Sequence, residues 1–136
     1  ILQTRHPGHP LLRALVRQGY PPFAEPCLRE RRAAGLPPYS HQALWRAEAA
    51  DTRDAERLLR TLAGRASQTA TPVQVLGPVP APLARRGDRY RWQLLLQAER
   101  RGALHALLDR LLNESPELAL TRKVRWSVDV DPLELF

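Results

Sequence analysis

The stretch Arg89–Gln97, which reads RYRWQLLLQ, decides the fold. Apolar and polar side chains alternate along it, and a period of two is typical of a β-strand that buries one face. The stretch therefore predicts a strand with an apolar and a polar face. The apolar face carries Tyr90, Trp92, Leu94 and Leu96, and the polar face carries Arg91, Gln93 and Gln97.

Three other segments also predict strands. His41–Glu48 alternates with a period of two, Val73–Leu76 is a short segment that is apolar except at Gln74, and Lys123–Asp129 alternates Val and Trp with polar residues. Between the second and third strands, Gly77–Pro82 alternates Gly and Pro with small residues, which predicts an extended loop with few hydrogen bonds. Four strands are therefore expected.

Two amphipathic helices are predicted between these strands. Asp51 can cap the first, and the second covers about Arg100–Asn113. In both, apolar residues recur at the spacing of one helix face. They are Ala55, Leu58, Leu59, Leu62 and Ala66 in the first helix, and Leu104, Leu107, Leu108, Leu111 and Leu112 in the second.

From Tyr39 onward the predicted order is strand, helix, strand, strand, helix, strand. This order is the split βαβ arrangement of an α+β, ferredoxin-like domain, in which two helices cover one face of a four-stranded antiparallel sheet. The other face is expected to be open, with the first, third and fourth strands as neighbours. Alternation then places four cations on the open face, and a register error of one residue would reverse this. They are Arg46, Arg91, Lys123 and Arg125.

A short helical extension is predicted before this domain. Ile1–Thr4 has the pattern of a strand end, and helices are expected at His9–Gln18 and at about Phe23–Ala34. Pro26 must lie in the first turn of the second helix, because a later position would remove a backbone hydrogen bond. Pro37 and Pro38 cannot continue a helix. The predicted domains are therefore residues 1–38 and 39–136.

The chain has a formal net charge of +7, carried almost wholly by Arg, since Lys123 is its single Lys. A positive field of this size suits a polyanion such as nucleic acid. A GC-rich coding bias would explain the ratio of Arg to Lys, but not the positive excess. The 136 residues begin at Ile1 and contain no Met, so we expect a piece of a longer protein.

Several classes of protein and site are disfavoured. No signal peptide or apolar run of about 18 residues is present, so no membrane role is expected. The sequence lacks a phosphate-binding loop, so nucleotide hydrolysis, and enzyme activity in general, is not expected of these residues. A single Cys excludes a Cys-based zinc site, and no metal or cofactor is expected because the histidines lack metal-ligand spacing. These histidines are His6, His9, His41 and His105.

The segment Arg85–Trp92 combines several cations with a Tyr and a Trp, which is typical of surfaces that follow phosphates and stack bases. Alternation assigns both aromatic residues to the core instead. The predicted DNA contacts are therefore Arg85, Arg86, Arg89 and Arg91.

A second cationic cluster, which consists of Arg122, Lys123 and Arg125, precedes the acidic residues Asp129, Asp131 and Glu134. It is a further DNA-binding candidate, and a strand edge protected by charge is the alternative. Arg100 and Arg101 begin a helix, where a cation opposes the dipole, so an anionic partner is one explanation and a surface ion pair is the other.

Seven motifs, in this order along the chain, resemble the C-terminal region of primosomal replication-restart DNA helicases of the PriA family. Together these motifs span almost the whole sequence, and their order and spacing make a chance similarity improbable. They are Leu2-Gln3-Thr4 with His9-Pro10, Phe23-Ala24-Glu25 with Arg31-Arg32, Leu36-Pro37-Pro38 with Arg46-Ala47-Glu48, Leu76-Gly77-Pro78-Val79-Pro80-Ala81, Arg89-Tyr90-Arg91-Trp92-Gln93, Lys123-Val124-Arg125-Trp126, and Asp129-Val130-Asp131-Pro132.

The resemblance implies that residues 1–38 are the tail of the second helicase lobe and a connector, and that residues 39–136 form a C-terminal DNA-binding domain similar to a small-ribosomal-subunit protein. Such domains bind single-stranded and forked DNA at stalled forks and help to load the primosome. In the family, Arg101 matches a position in a pocket for the acidic tail of single-stranded DNA-binding protein. His105 is assigned to the same pocket, where the family pattern has an amide.

The resemblance also implies a bacterial, cytoplasmic and nucleoid-associated parent that unwinds DNA from 3′ to 5′. Its ATP and Mg site and its zinc cluster would lie upstream, and its upstream lobes and other primosome proteins would be partners. A protein-interaction module that receives the acidic tail is the alternative function. An acyl-phosphate hydrolase can share the element order, but it needs an Arg and an Asn converging on phosphate, and Asn113 ends a predicted helix.

Overall fold

The computed structural model describes residues 1, 3–120 and 123–135. The chain divides into two compact units, Ile1–Tyr39 and Ser40–Phe136. Among the described residues, no helix is long and apolar enough to cross a bilayer.

The first unit contains two helices, α1 (Pro10–Gln18) and α2 (Tyr20–Ala33). The prediction of α1 is confirmed, but α2 begins before Phe23 and Pro26 lies inside it. Pro21 and Pro22 explain this difference, because prolines fit the first helical turn and start the helix earlier. The expected strand at Ile1–Thr4 is wrong for the described residues 1, 3 and 4, which belong to no strand; Leu2 lies outside the described part.

The second unit is a four-stranded antiparallel sheet with helices on one face. Its strands lie side by side in the order β2-β3-β1-β4, which confirms the predicted split βαβ fold and the central place of the first strand. The elements are β1 (His41–Ala49), α3 (Thr52–Gln68), β2 (Gln74–Arg86), β3 (Arg89–Ala98), α4 (Arg101–Glu114), α5 (Pro116–Leu120) and β4 (Val124–Val130).

The core lies between the sheet and its helices, as the alternation predicts. Trp45, Leu94 and Leu96 are fully buried on the inner face of the sheet. Asp51 caps α3 by accepting a hydrogen bond from the Arg53 N–H at 2.9 Å. All five predicted apolar positions of α3 are buried. In α4 the predicted stripe is buried except for Leu112, which is 42% exposed, so its assignment to the core is wrong.

The expected loop at Gly77–Pro82 is wrong, because β2 continues through it to Arg86. β2 is an edge strand, and an edge tolerates prolines because the missing N–H groups need no partner on the free side. The pairing with β3 shifts register between Leu76 and Val79 and again between Pro80 and Arg85. These irregularities accommodate the prolines without ending the strand.

The outer face of the sheet is not open at its centre, contrary to the prediction. Residues 131–135, which we call the strap, leave β4 and cross this face. The side chain of Gln93 donates a hydrogen bond to the Leu135 carbonyl at 3.0 Å, and Arg46 donates one to the Glu134 carbonyl at 3.2 Å. Leu44, two residues before Arg46 on the same face, is 2% exposed. The strap therefore covers part of the surface that alternation left to solvent.

Candidate nucleic-acid interface

The hairpin between β2 and β3 projects beyond the end of β1. The pairing of β1 with β3 ends where Ala49 meets Tyr90, whereas β2 and β3 continue to the pair Arg86 and Arg89. Gly87, with φ +62°, begins the two-residue turn, where a residue with a Cβ would be strained. The hairpin tip therefore holds arginines away from the packed part of the sheet.

The register sorts these arginines by face. Residues directly opposite each other on paired strands point to the same side, so Arg86 and Arg89 share the outer face with Arg91. Arg85 pairs with Tyr90 and belongs to the inner side, where its guanidinium lies 5.4 Å from the centre of the Tyr90 ring. It also donates to the Gly87 carbonyl at 3.0 Å. The hairpin tip thus presents cations on both sides.

Arg91 is engaged within the sheet. Its Nε donates to Glu48 Oε1 at 2.9 Å, and only 16% of its side chain is exposed. Glu48 lies directly opposite both Arg91 and Arg125, so the three form one row across β3, β1 and β4. Arg91 is therefore less available to a phosphate than its position on the outer face suggests.

Arg46 is also occupied. Its guanidinium lies 3.4 Å from Asp129 Oδ2, in addition to its bond with the Glu134 carbonyl. The predicted convergence of four cations on one face therefore resolves into two different environments. Arg46 and Arg91 are paired, whereas Arg125 is exposed on β4 and Lys123 is exposed in the turn just before it.

The exposed cations meet at one end of the sheet. β4 begins at Val124, which pairs with Ala49, so the start of β4, the end of β1 and the hairpin tip share this end. In the described part of the chain, no carboxylate lies within 4.0 Å of these cationic groups. With strands about 4.8 Å apart, the group spans roughly 14 Å from β2 to β4. This cationic end consists of Arg85, Arg86, Arg89, Lys123 and Arg125. Arg122, the third member of the predicted second cluster, lies outside the described residues.

The two tryptophans of this region are structural, whereas the assignment of Tyr90 to the core is wrong, because Tyr90 is only partly buried and faces the Arg85 guanidinium. Trp92 packs against the core and donates its indole N–H to Thr52 Oγ1 at 2.9 Å, which ties β3 to the start of α3. Trp126 donates to the Leu118 carbonyl at 3.1 Å and lies 5.5 Å from Trp45 between ring centres. Neither indole offers its polar edge for base recognition.

Arg101 and His105 lie at the opposite end of the sheet. α4 begins just after β3 ends at Ala98, which pairs with His41 at the start of β1. The Arg101 side chain is 63% exposed and its guanidinium lies 3.5 Å from Asp131 Oδ2. His105, one helical turn further on, is exposed. The two predicted binding sites are therefore at separate ends of the sheet.

Asp131 is the carboxylate around which this second end is organised. Partial burial raises its pKa, but the hydrogen bond from the Gln42 N–H and the nearby His41 and Arg101 lower it more. The net result is a pKa below the ordinary value of 3.8. Asp131 thus stays ionised at neutral pH and neutralises part of the charge of Arg101.

The sequence is similar to known proteins over nearly its full length. The family described as the primosomal protein N C-terminal domain matches residues 32–133. This chain belongs to that family. It is 42% identical to the replication restart protein PriA of Haemophilus influenzae over 136 residues, which cover 99% of the chain and 18% of that protein. It is 32% identical to PriA of Synechocystis, covering 99% of the chain and 16% of the relative.

The chain therefore spans less than a fifth of the length of these PriA relatives. Among solved structures, the designed protein Foldit4 matches with a TM-score of 0.52 and 13% identity, over 70% of this chain and 99% of that one. At this identity the likeness concerns the fold alone. In the described residues, the His, Cys, Asp and Glu side chains form no group of three that could hold a metal ion.

Proposed function

We propose that this chain binds DNA through its cationic end, as the C-terminal DNA-binding part of a replication-restart protein. The observation that carries the proposal is that five exposed or partly exposed cations lie at one end of the sheet. Among the described residues, none of the five forms an ion pair with a carboxylate. Phosphates supply most of the affinity in such contacts. Membership of the primosomal protein N family supports the choice of DNA over other polyanions.

In this proposal the bound DNA is single-stranded or forked, and the whole protein is a 3′ to 5′ helicase that loads the primosome at stalled forks. ATP with Mg and the zinc cluster would belong to its upstream parts, and this chain would provide DNA grip without catalysis. The setting would be the bacterial cytoplasm at the nucleoid. The printed names of the PriA relatives support replication restart as the process.

The test compares two pairs of arginine substitutions. Arg86→Ala with Arg89→Ala removes two cations of the cationic end, whereas the control, Arg13→Ala with Arg57→Ala, removes two exposed helical arginines elsewhere. Binding of labelled single-stranded and forked DNA is followed by fluorescence anisotropy over a range of salt concentrations. We expect the first pair to reduce the slope of log affinity against log salt by about 1.4 for single strands, since each contact contributes about 0.7.

The loss should be similar for all DNA sequences, because phosphate contacts carry no sequence information. If both pairs weaken DNA binding equally, the loss comes from the lower net charge of the chain and not from the cationic end, which contradicts the proposal. Absence of binding by the unmodified chain would refute it.

The second candidate function is the binding of an acidic peptide tail by Arg101 and His105. It is favoured by the exposure of Arg101, 63% of whose side chain is accessible one helical turn before the exposed His105. A peptide ending in acidic residues and Phe should bind the chain, and Arg101→Ala should abolish this while DNA binding persists. Unchanged peptide binding by Arg101→Ala would exclude the site.

A further inference from the structure

The strap begins with a sharp change of direction at Asp131. This residue has φ +50°, in the left-handed region that Asp tolerates better than most residues with a Cβ. Its N–H donates to the Gln42 carbonyl at 2.7 Å, and its Oδ1 accepts from the Gln42 N–H at 3.1 Å. Its Oδ2 lies 3.5 Å from both His41 Nδ1 and Arg101 Nη2. The chain is thereby turned from the edge of the sheet onto its outer face.

Further along, the strap occupies the polar groups at the centre of that face. The carbonyls of Glu134 and Leu135 accept hydrogen bonds from Arg46 and Gln93, and Asp129, just before the strap, pairs with Arg46. A guanidinium and an amide N–H are also the donors that bind phosphate oxygens on protein surfaces that contact DNA. The strap therefore uses the groups that a nucleic-acid backbone would use.

The strap is held mainly by polar contacts: it covers Leu44, which is 2% exposed, but its own side chains are not buried. None of residues 131–135 is buried, and Leu133 is fully exposed. An element with so little buried apolar surface opens more easily than the sheet beneath it. A ligand with better acceptors can replace its hydrogen bonds without disturbing the core.

We infer that the strap competes with DNA for the centre of the outer face. The strap covers this part of the sheet until a bound DNA strand displaces it. This inference rests on the proposed DNA binding at the cationic end. Displacement extends the DNA path from the cationic end across β1 to Arg46. The carboxylates of Asp129, Asp131 and Glu134 add to the closed state, because they repel phosphate from this part of the face.

The test measures the affinity of the 136-residue chain and its variants for an oligothymidylate of about 20 nucleotides, which exceeds the site size of a small domain. The first variant ends at Pro132 and so lacks the carbonyls of Glu134 and Leu135. The second combines Asp129→Asn with Asp131→Asn. Its control combines Glu99→Gln with Asp109→Asn, two exposed carboxylates that form no ion pair with described residues. Thermal unfolding confirms that each variant is folded.

Removal of residues 133–136 takes the Glu134 carbonyl away from Arg46, so that Asp129 is its one remaining described partner and a phosphate can replace that carboxylate. One additional contact steepens the salt slope by about 0.7 and strengthens binding about fourfold at roughly 0.15 M salt. Arg46→Ala should cancel this gain in the shortened chain but change little in the full chain, which a double-mutant cycle measures directly. The Asn pair should strengthen binding more than its charge-matched control.

Three results overturn the inference: equal affinity of the full and shortened chains, a gain that survives Arg46→Ala, or equal gains for the Asn pair and the control. Each leaves DNA binding at the cationic end intact. Absence of binding in every variant is a different failure, because it removes the proposed function and the competition with it.

Discussion

The substitution Glu48→Gln should strengthen DNA binding. Glu48 is the carboxylate in the row that runs from Arg91 through β1 to Arg125, and it accepts the Arg91 Nε–H at 2.9 Å. Gln keeps the size and an acceptor oxygen but removes the charge. The row then changes from a net charge of about +1 to about +2, and Arg91 on β3 and Arg125 on β4 flank a neutral side chain on β1.

The magnitude follows from counterion release. If the freed Arg91 contacts one more phosphate, the salt slope for single-stranded DNA steepens by about 0.7, which corresponds to about fourfold tighter binding near 0.15 M salt. The stability cost should be small. The pair is partly exposed, with 33% of the Glu48 side chain accessible, and after allowance for screening by solvent such pairs contribute about 1 kcal/mol or less.

The assay is fluorescence anisotropy with labelled single-stranded DNA, together with thermal unfolding. Glu25→Gln is the matched control, since it removes a carboxylate that pairs with Arg29 at 3.8 Å in the first unit. It should leave both slope and affinity nearly unchanged. A folded Glu48→Gln protein with unchanged or weaker binding would refute the reasoning, because the pair with Glu48 would then not be what limits Arg91.

Three further predictions concern stability. Leu59→Ala should lower the free energy of unfolding, measured by chemical denaturation, by about 2–5 kcal/mol, because removal of the fully buried side chain leaves a cavity. Leu112→Ala, on the exposed side of α4, should lower it much less. Gly77→Ala should lower the free energy of unfolding by about 1–3 kcal/mol, because φ is +108° and the added Cβ would lie 3.1 Å from the Gln93 carbonyl oxygen. Gly64→Ala, in open space on α3, should raise the free energy of unfolding by about 0.5–1 kcal/mol. Because the pKa of Asp131 is lowered in the folded chain, its contribution to stability is present above pH 3.8 and is lost as the pH falls through the lower folded value. Asp131→Asn should therefore flatten the acid side of the stability curve, and an unchanged curve would contradict the assigned contacts.

Local periodicity was enough to predict the packed half of the sheet. The stripe of α3, from Ala55 to Ala66, is buried as predicted, and the inner faces of β1 and β3 follow their alternation. These features depend on neighbours within one helix turn or one strand, which the sequence displays directly. The assignment of Trp92 to the core succeeded for the same reason.

The features that the sequence did not predict depend on contacts between distant segments. β2 continues through Pro78 and Pro80 because it lies at an edge, and edge position is a property of the whole sheet. The strap over Arg46 joins residues that are 88 positions apart, so no local pattern predicts it. The short helix α5, which begins at Pro116, was also missed because a single turn has no periodicity.

The candidate site shows the same division. The cationic residues were visible in the sequence, but their sorting into paired and unpaired groups required the register of β1 with β3 and β4. Arg91 and Arg46 were predicted to act together with Lys123 and Arg125. Their carboxylate partners, Glu48 and Asp129, lie on neighbouring strands, which alternation along a single strand cannot pair.

The prolines of β2 also determine where another strand could join the sheet. Pro78, Pro80 and Pro82 lie in this edge strand and supply no N–H, and the register shifts between Leu76 and Val79 and between Pro80 and Arg85 break the regular spacing of the remaining donors. An incoming strand would therefore meet an irregular edge with few donors along β2. Pairing between copies of the chain is thereby directed away from β2, and the edge formed by β4 remains for it.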